Sequence, residues 1–175
     1  MVMSLSGKRV LLIIAPKDFR DEEFLKPKEI LGSMNAKITV ASKGVTRATG
    51  MFGTVANVDI DINKVDVKDY DAIVFVGGVG SSTYFNDPTA LKIAKEAYEQ
   101  GKVVAAICIA PSILANAGIL KGKSATSFPS EAENLRAKGA KYTGEPVTVD
   151  GKVITARGPE AASQFGEAIA KALAK

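Results

Sequence analysis

The chain of 175 residues contains no histidine and only one cysteine, Cys108. Without histidine there can be no Ser-His-Asp triad, no Cys-His dyad and no His-ligated metal within the chain. Any acid or base must be Asp, Glu, Lys, Tyr or Cys. One cysteine excludes an intramolecular disulfide and a Cys-cluster metal site, so no metal or cofactor is expected. No run of apolar residues reaches the roughly eighteen needed to cross a bilayer. The N-terminal stretch reads as no secretory signal, and a lone free thiol fits a reducing compartment. A cytoplasmic protein without a membrane partner is therefore expected. Basic residues exceed acidic ones by only 23 to 19. The lysines are scattered and no basic cluster is interleaved with aromatics, so no nucleic-acid partner is expected.

The composition that remains is ordinary for a globular protein, with 46% hydrophobic and 24% charged residues. It predicts one domain over residues 1–175. The stretch from Val103 to Ser112 stands out. Val103 to Ile107 is an apolar run short enough for a buried strand. Ala110 to Ala117 reads as a helix with Pro111 in its first turn and Gly118 at its left-handed end. Cys108 therefore lies on a sharp strand-to-helix turn, flanked two residues away by the small Ala106 and Ala110, as in a nucleophile elbow. A thiol placed there faces the positive end of a helix, which favours thiolate. The alternative is a small, inert core residue.

The other elements follow from their patterns. Lys8 to Ala15 is a continuous apolar run suited to a parallel strand, and a charged loop follows through Glu23. A helix is predicted from Asp21, its N-cap, to Met34, with Pro27 bending it and Phe24, Ile30 and Leu31 facing the sheet. Lys37 to Ala41 is a second strand. Gly44 to Asn63 suggests a short hairpin or edge strands around Val55 and Val58 to Ile60. Tyr70 to Val76 is a buried strand ending in the Gly77 to Ser82 loop. That loop fits neither dinucleotide nor P-loop patterns, but its glycines allow a backbone N–H to approach a reacting centre. Asp87 and Pro88 start a helix whose predicted stripe is Leu91, Ala94 and Tyr98. A strand is predicted over Lys123 to Phe128 and a helix over Ser130 to Lys138. Val147 to Thr155 reads as a hairpin about Asp150-Gly151. A last helix follows Pro159, with Phe165, Ile169 and Leu173 on its core face. Alternating strands and helices predict an α/β, doubly wound, flavodoxin-like sheet, mostly parallel, sandwiched by helices, with a small hairpin insertion. Ligands bind such sheets at the strand carboxyl ends. Three loops there carry chemistry: Asp18 to Glu23, Gly77 to Ser82, and Cys108-Ile109.

Four segments in this order resemble the ThiJ/PfpI superfamily, the DJ-one family of protein deglycases and PfpI-type intracellular peptidases. They are Phe19-Arg-Asp-Glu-Glu23, Val76-Gly-Gly78, Ala106-Ile-Cys-Ile-Ala-Pro111 and Thr155-Ala-Arg-Gly-Pro159. The resemblance implies roles: Cys108 as nucleophile, Glu23 as the carboxyl that hydrogen-bonds it, and the backbone N–H groups of Gly78 and Ile109 as an oxyanion hole. A protonated carboxyl beside a thiolate lowers the thiol's pKa and raises its own. Taken by itself, Glu23 would read as a first-turn helix acid, a purpose Asp21 or Glu22 could equally serve. Two departures stand out. Hydrolytic members carry histidine directly after the nucleophile, where this chain has Ile109. The deglycase branch carries one after the next strand, where this chain has Phe128. A Cys-His peptidase mechanism is thereby excluded. The resemblance implies a cysteine-dependent glyoxalase or deglycase acting on methylglyoxal or its adducts without a cofactor, as a homodimer or larger assembly. The alternative is a redox-responsive stress or chaperone-like protein that senses oxidation of Cys108 to sulfinate.

Overall fold

The computed structural model describes residues 3–175. In chain order it contains β1 (Arg9–Ile13), β2 (Lys17–Phe19), α1 (Asp21–Ser33), β3 (Lys37–Ser42), β4 (Arg47–Gly50), β5 (Val55–Asn57), β6 (Ile60–Asp61) and β7 (Ala72–Phe75). The chain continues through α2 (Pro88–Glu99), β8 (Val103–Ile107), α3 (Pro111–Asn116), β9 (Ser124–Ala125), α4 (Ala132–Ala137), β10 (Lys141–Tyr142), β11 (Val147–Asp150), β12 (Val153–Ala156) and α5 (Ala162–Leu173). The main sheet has the order β11-β12-β8-β7-β1-β3-β6, parallel throughout except for the edge strand β11.

The β1 run shows why a parallel strand needs apolar residues at every position. Val10, Leu12 and Ile14 pack in one core with Phe24, Leu31, Phe165 and Ile169. Leu11 and Ile13 point the other way, into a second core with Ile73, Phe75, Ile93, Ile113 and Leu114. Helices α1 and α5 thus cover one face, and α2, α3 and α4 lie on the other. Because β3 lies outside β1 while β7, β8 and β12 follow on the opposite side, the winding reverses between β1 and β7. This is the flavodoxin-like switch point, and a crevice opens there at the carboxyl ends of the strands.

Several sequence expectations are corrected. Asp21 is not the N-cap of α1; Arg20 holds that position without a side-chain cap bond. Asp21 instead reaches across to the β4–β5 hairpin. The buried stripe of α2 is Ala90, Ile93, Ala94 and Ala97; of the predicted set Ala94 is in it, Leu91 is only partly buried against the core, and Tyr98 is exposed. Alanines let the helix settle close to the sheet, and the larger Tyr98 is turned outward beneath the Lys123 ammonium. Ile30 lies toward α5, beside Gly166, and is only half-buried. The predicted strand over Lys123 to Phe128 shrinks to β9, because the Thr126 and Phe128 amides turn aside to bond Thr155 Oγ1 and the Cys108 carbonyl. The charged loop before α1 contains β2, which joins the β4–β5 hairpin in a separate three-stranded sheet. That hairpin is the insertion. The β11–β12 hairpin, turning at Gly151-Lys152, is built into the main sheet. Of the predicted lead-in over residues 1–7, residues 1 and 2 lie outside the described ones, and Leu5 is part of the core.

Candidate active site

Strand β8 is wholly buried and pairs with β7 and β12. One residue past its end, the Cys108 amide still donates to the Ala156 carbonyl at 2.9 Å. The chain then breaks from the sheet. Cys108 has φ 66°, the left-handed region, where a side chain other than glycine, asparagine or aspartate is strained. The Ala110 amide closes the turn onto the Ile107 carbonyl at 3.1 Å, and α3 begins at Pro111. This is the elbow read from the sequence. The strained residue is half-buried.

Glu23 approaches from α1. It heads the buried stripe Glu23, Pro27, Leu31, spaced four residues apart, so the helix face that packs inward presents a carboxyl where an apolar side chain would be expected. Its side chain is fully buried, and neither carboxyl oxygen has a hydrogen-bond partner among the described residues. Such a group costs free energy unless the site uses it. Gly77 shows what it faces. A Cβ added there would collide with Glu23 Oε1, and would lie 2.5 Å from the Ile107 carbonyl oxygen and 2.6 Å from Cys108 Cβ. Carboxyl and thiol therefore flank one space that only glycine leaves open.

Gly78, at φ 102°, could not be replaced either. An added Cβ would fall onto the backbone of residues 18 to 20, including the Asp18 carbonyl oxygen at 2.7 Å. The Arg20 amide donates to the Gly77 carbonyl at 2.9 Å, tying the start of α1 to this loop. With the loop so fixed, the Gly78 and Ile109 amides lie near Cys108, where they favour the charged sulfur. All four residues named by the sequence, Cys108, Glu23, Gly78 and Ile109, thus meet at one point.

Burial pushes the Glu23 carboxyl up to about 8. Burial also pushes the Cys108 thiol up to about 12, reinforced by the Glu23 charge and opposed by the two amides. The rise at Cys108 corrects the expectation of a lowered thiol. Desolvation outweighs the two amides that favour the charged form. The two groups form a coupled pair that gives up one proton near pH 8 and keeps the second far longer.

The sequence did not reveal the contacts of four surrounding residues, of which Asp21 and Phe128 were named for other reasons. Arg20 is held by Glu22, with Nη2 to Oε2 at 2.9 Å, and stacks 4.8 Å from the Phe52 ring centroid; its charge is felt at both Glu23 and Cys108. The Asp21 carboxylate accepts from the Phe52 and Thr54 amides, each at 2.9 Å. Ser112 on α3 donates to Glu131 at 2.6 Å and accepts from Asn134 at 3.1 Å. Phe128, at the position that carries histidine in the deglycase branch, is bonded through its amide to the Cys108 carbonyl at 2.7 Å. Only the Gly77-Gly78 pair gave a visible signal of close packing here; the other contacts join segments far apart in the chain.

Residues 8–172 match the sequence profile of the DJ-1/PfpI family. An uncharacterized protein of Methanocaldococcus jannaschii is 45% identical over 98% of this chain and 85% of its own length. A deglycase of Thermococcus kodakarensis is 34% identical over 85% of this chain and 90% of its own. The crystal structure of a ThiJ/PfpI domain protein from Brachyspira murdochii superimposes with a TM-score of 0.93 at 33% identity, covering 95% of this chain and 98% of that one.

Proposed function

The chain belongs to the DJ-1/PfpI family, and from that premise we propose that it is a cysteine-dependent enzyme acting on reactive 2-oxoaldehydes such as methylglyoxal, free or as adducts. One observation carries this reading. A fully buried carboxyl without a hydrogen-bond partner flanks the same space as a thiol whose charged form two backbone amides favour. The first proton leaves the pair near pH 8, from Glu23. Moving the thiol proton onto that carboxylate gives a thiolate facing a protonated Glu23, the form that attacks, and the Gly78 and Ile109 amides favour it.

That pairing supplies each step of a redox-neutral reaction. Cys108 sulfur adds to the aldehyde carbon, the carbonyl electron pair moves to oxygen, and Glu23 delivers its proton there, giving a hemithioacetal. As charge leaves sulfur for that oxygen, the same two amides can follow it, acting as an oxyanion hole. Glu23, now ionised, takes the proton from the former aldehyde carbon and returns it at the neighbouring carbon through an enediol. A thioester of a 2-hydroxy acid results, and water displaces the thiolate. One water is consumed and no oxidant is needed. No step calls on histidine, so the Ile109 and Phe128 departures do not block it. The deglycase name of the Thermococcus relative supports the same substrate class.

The test is lactate release from methylglyoxal by the purified protein. Cys108→Ser should lower kcat/KM by roughly 10³-fold or more, since the variant lacks the only activated nucleophile. Comparable activity in the variant would overturn the reading.

A further inference from the structure

We infer that the mouth of this site is an apolar recognition subsite built by Phe128, Ile109 and Val79, selecting electrophiles that carry an aryl or branched-alkyl group over small polar ones. The inference rests on the reading of Cys108 as the reacting atom and names the substrate class: aryl and branched 2-oxoaldehydes ahead of methylglyoxal.

Each of the three residues is placed near Cys108 by its own backbone. Ile109 follows Cys108 in the chain and its amide favours the charged sulfur, and Val79 follows Gly78, whose amide does the same. The Phe128 amide bonds the Cys108 carbonyl at 2.7 Å. None of the three side chains offers a donor, an acceptor or a charge. Phe128 and Val79 are 45% and 60% exposed, so their apolar surface faces whatever approaches the thiol.

The segment carrying Phe128 is fixed at several points. Tyr142 donates to the Ser127 carbonyl at 2.9 Å. The Glu131 amide closes a turn onto the Phe128 carbonyl at 2.9 Å, and the Glu131 carboxylate accepts from Ser112 of α3 at 2.6 Å. The ring also borders Gly158, where an added Cβ would lie 3.8 Å from Phe128 Cδ1. An exposed aromatic ring on an immobilised backbone has already lost much of its freedom before a ligand arrives, so little ordering cost opposes contact with an apolar group. Exposed apolar side chains scattered over a surface need no explanation, but three on residues whose backbones border a reactive thiol do.

Alkylation of Cys108 reads the mouth independently of turnover. Rates with N-benzyl iodoacetamide and iodoacetamide are each divided by the rate of the same reagent with glutathione. The benzyl reagent should be favoured by roughly tenfold or more, the range one apolar group gains in an apolar pocket. Phe128→Ala should bring that preference below about threefold, whereas Phe128→Leu should keep most of it. Both variants are checked by thermal melting, and the half-exposed ring leaves little core to lose. Absence of the preference in the wild type, or its persistence in Phe128→Ala, overturns the inference. In parallel, kcat/KM for phenylglyoxal should exceed that for methylglyoxal. Turnover of both without alkylation selectivity would leave the proposed function standing and sink the subsite. Selective alkylation without turnover of either would keep the subsite and sink the proposed function together with the 2-oxoaldehyde assignment.

Discussion

Asp21, Glu22 and Glu23 carry the same functional group at adjacent positions, and the helix turns each by about 100° into a different environment. Asp21 bonds two hairpin amides, Glu22 holds Arg20, and Glu23 enters the core against Cys108. Seen only as three acids in a first turn, they are interchangeable. The geometry separates them, because only Glu23 lies on the stripe with Pro27 and Leu31. Pro27, on the same stripe, has no N–H to give the Glu23 backbone carbonyl one turn back. Glu23→Gln can still donate to sulfur but cannot ionise. Its turnover should therefore fall by roughly 10²–10⁴-fold, the usual contribution of a positioned acid-base group. Cys108 alkylation should change far less. Equal losses in the two assays would mean that Glu23 acts only on the ionisation of the thiol.

The β4–β5 hairpin hangs outside the main sheet, and Asp21 is one of its main anchors. Burial raises the Asp21 carboxyl, but bonds from the Thr54 side chain and from the Phe52 and Thr54 amides outweigh it and hold the carboxyl below its ordinary range. Gly50 accommodates this clamp; a Cβ there would lie 2.7 Å from both Asp21 carboxylate oxygens. Asp21→Ala leaves the amides of Phe52 and Thr54 without that partner and should cost about 1–3 kcal/mol. The loss should be local: hydrogen exchange at Phe52 and Thr54 should accelerate while β7 and β8 stay protected. Uniform acceleration through the sheet would contradict this. The sequence pointed to a hairpin in this region, but not to its anchor. An acid in a first turn and two amides some thirty residues later share no periodicity.

Across the whole molecule, the strands separate two surfaces. A cleft of ≈ 700 Å³ lies at their amino ends, lined by Lys8, Asp71, Lys102, Val103 and Lys152 among others. The thiol sits at the opposite ends, some five strand residues away, or about 16 Å. This cleft is therefore not where the chemistry converges. The sheet, its winding and the elbow were legible because apolar runs, caps and glycines are local signals. The two-sided alternation of Val10 to Ile14 also predicts both cores. The displaced α2 stripe and the turning aside of residues 126–128 were not, because both depend on what the neighbouring element presents. The Glu23 pair should also register in global stability. Its folded pKa of about 8 lies above the ordinary carboxyl value. Between those two values the native state holds a proton that the unfolded chain releases. Stability should therefore fall with rising pH across that window, by up to about 1.4 kcal/mol per unit for one proton. The thiol's own raised value acts only at higher pH. Melting temperatures of the wild type and Glu23→Gln should diverge in the variant's favour from pH 5 to pH 8. Parallel curves would mean that the native carboxyl is not raised.

The left-handed backbone at Cys108 makes its side chain a burden in any population of sequences. A residue with φ 66° and a Cβ carries roughly 1–2 kcal/mol of strain that glycine does not. Cys108→Gly should thus melt at or above the wild-type temperature, despite glycine's greater freedom when unfolded. If libraries randomised at position 108 were selected for solubility or heat resistance alone, glycine and asparagine should displace cysteine within a few rounds. Selected for survival in 2-oxoaldehyde, the same libraries should return cysteine. Retention of this residue under mutation is then a signature of use, since drift without that demand runs the other way.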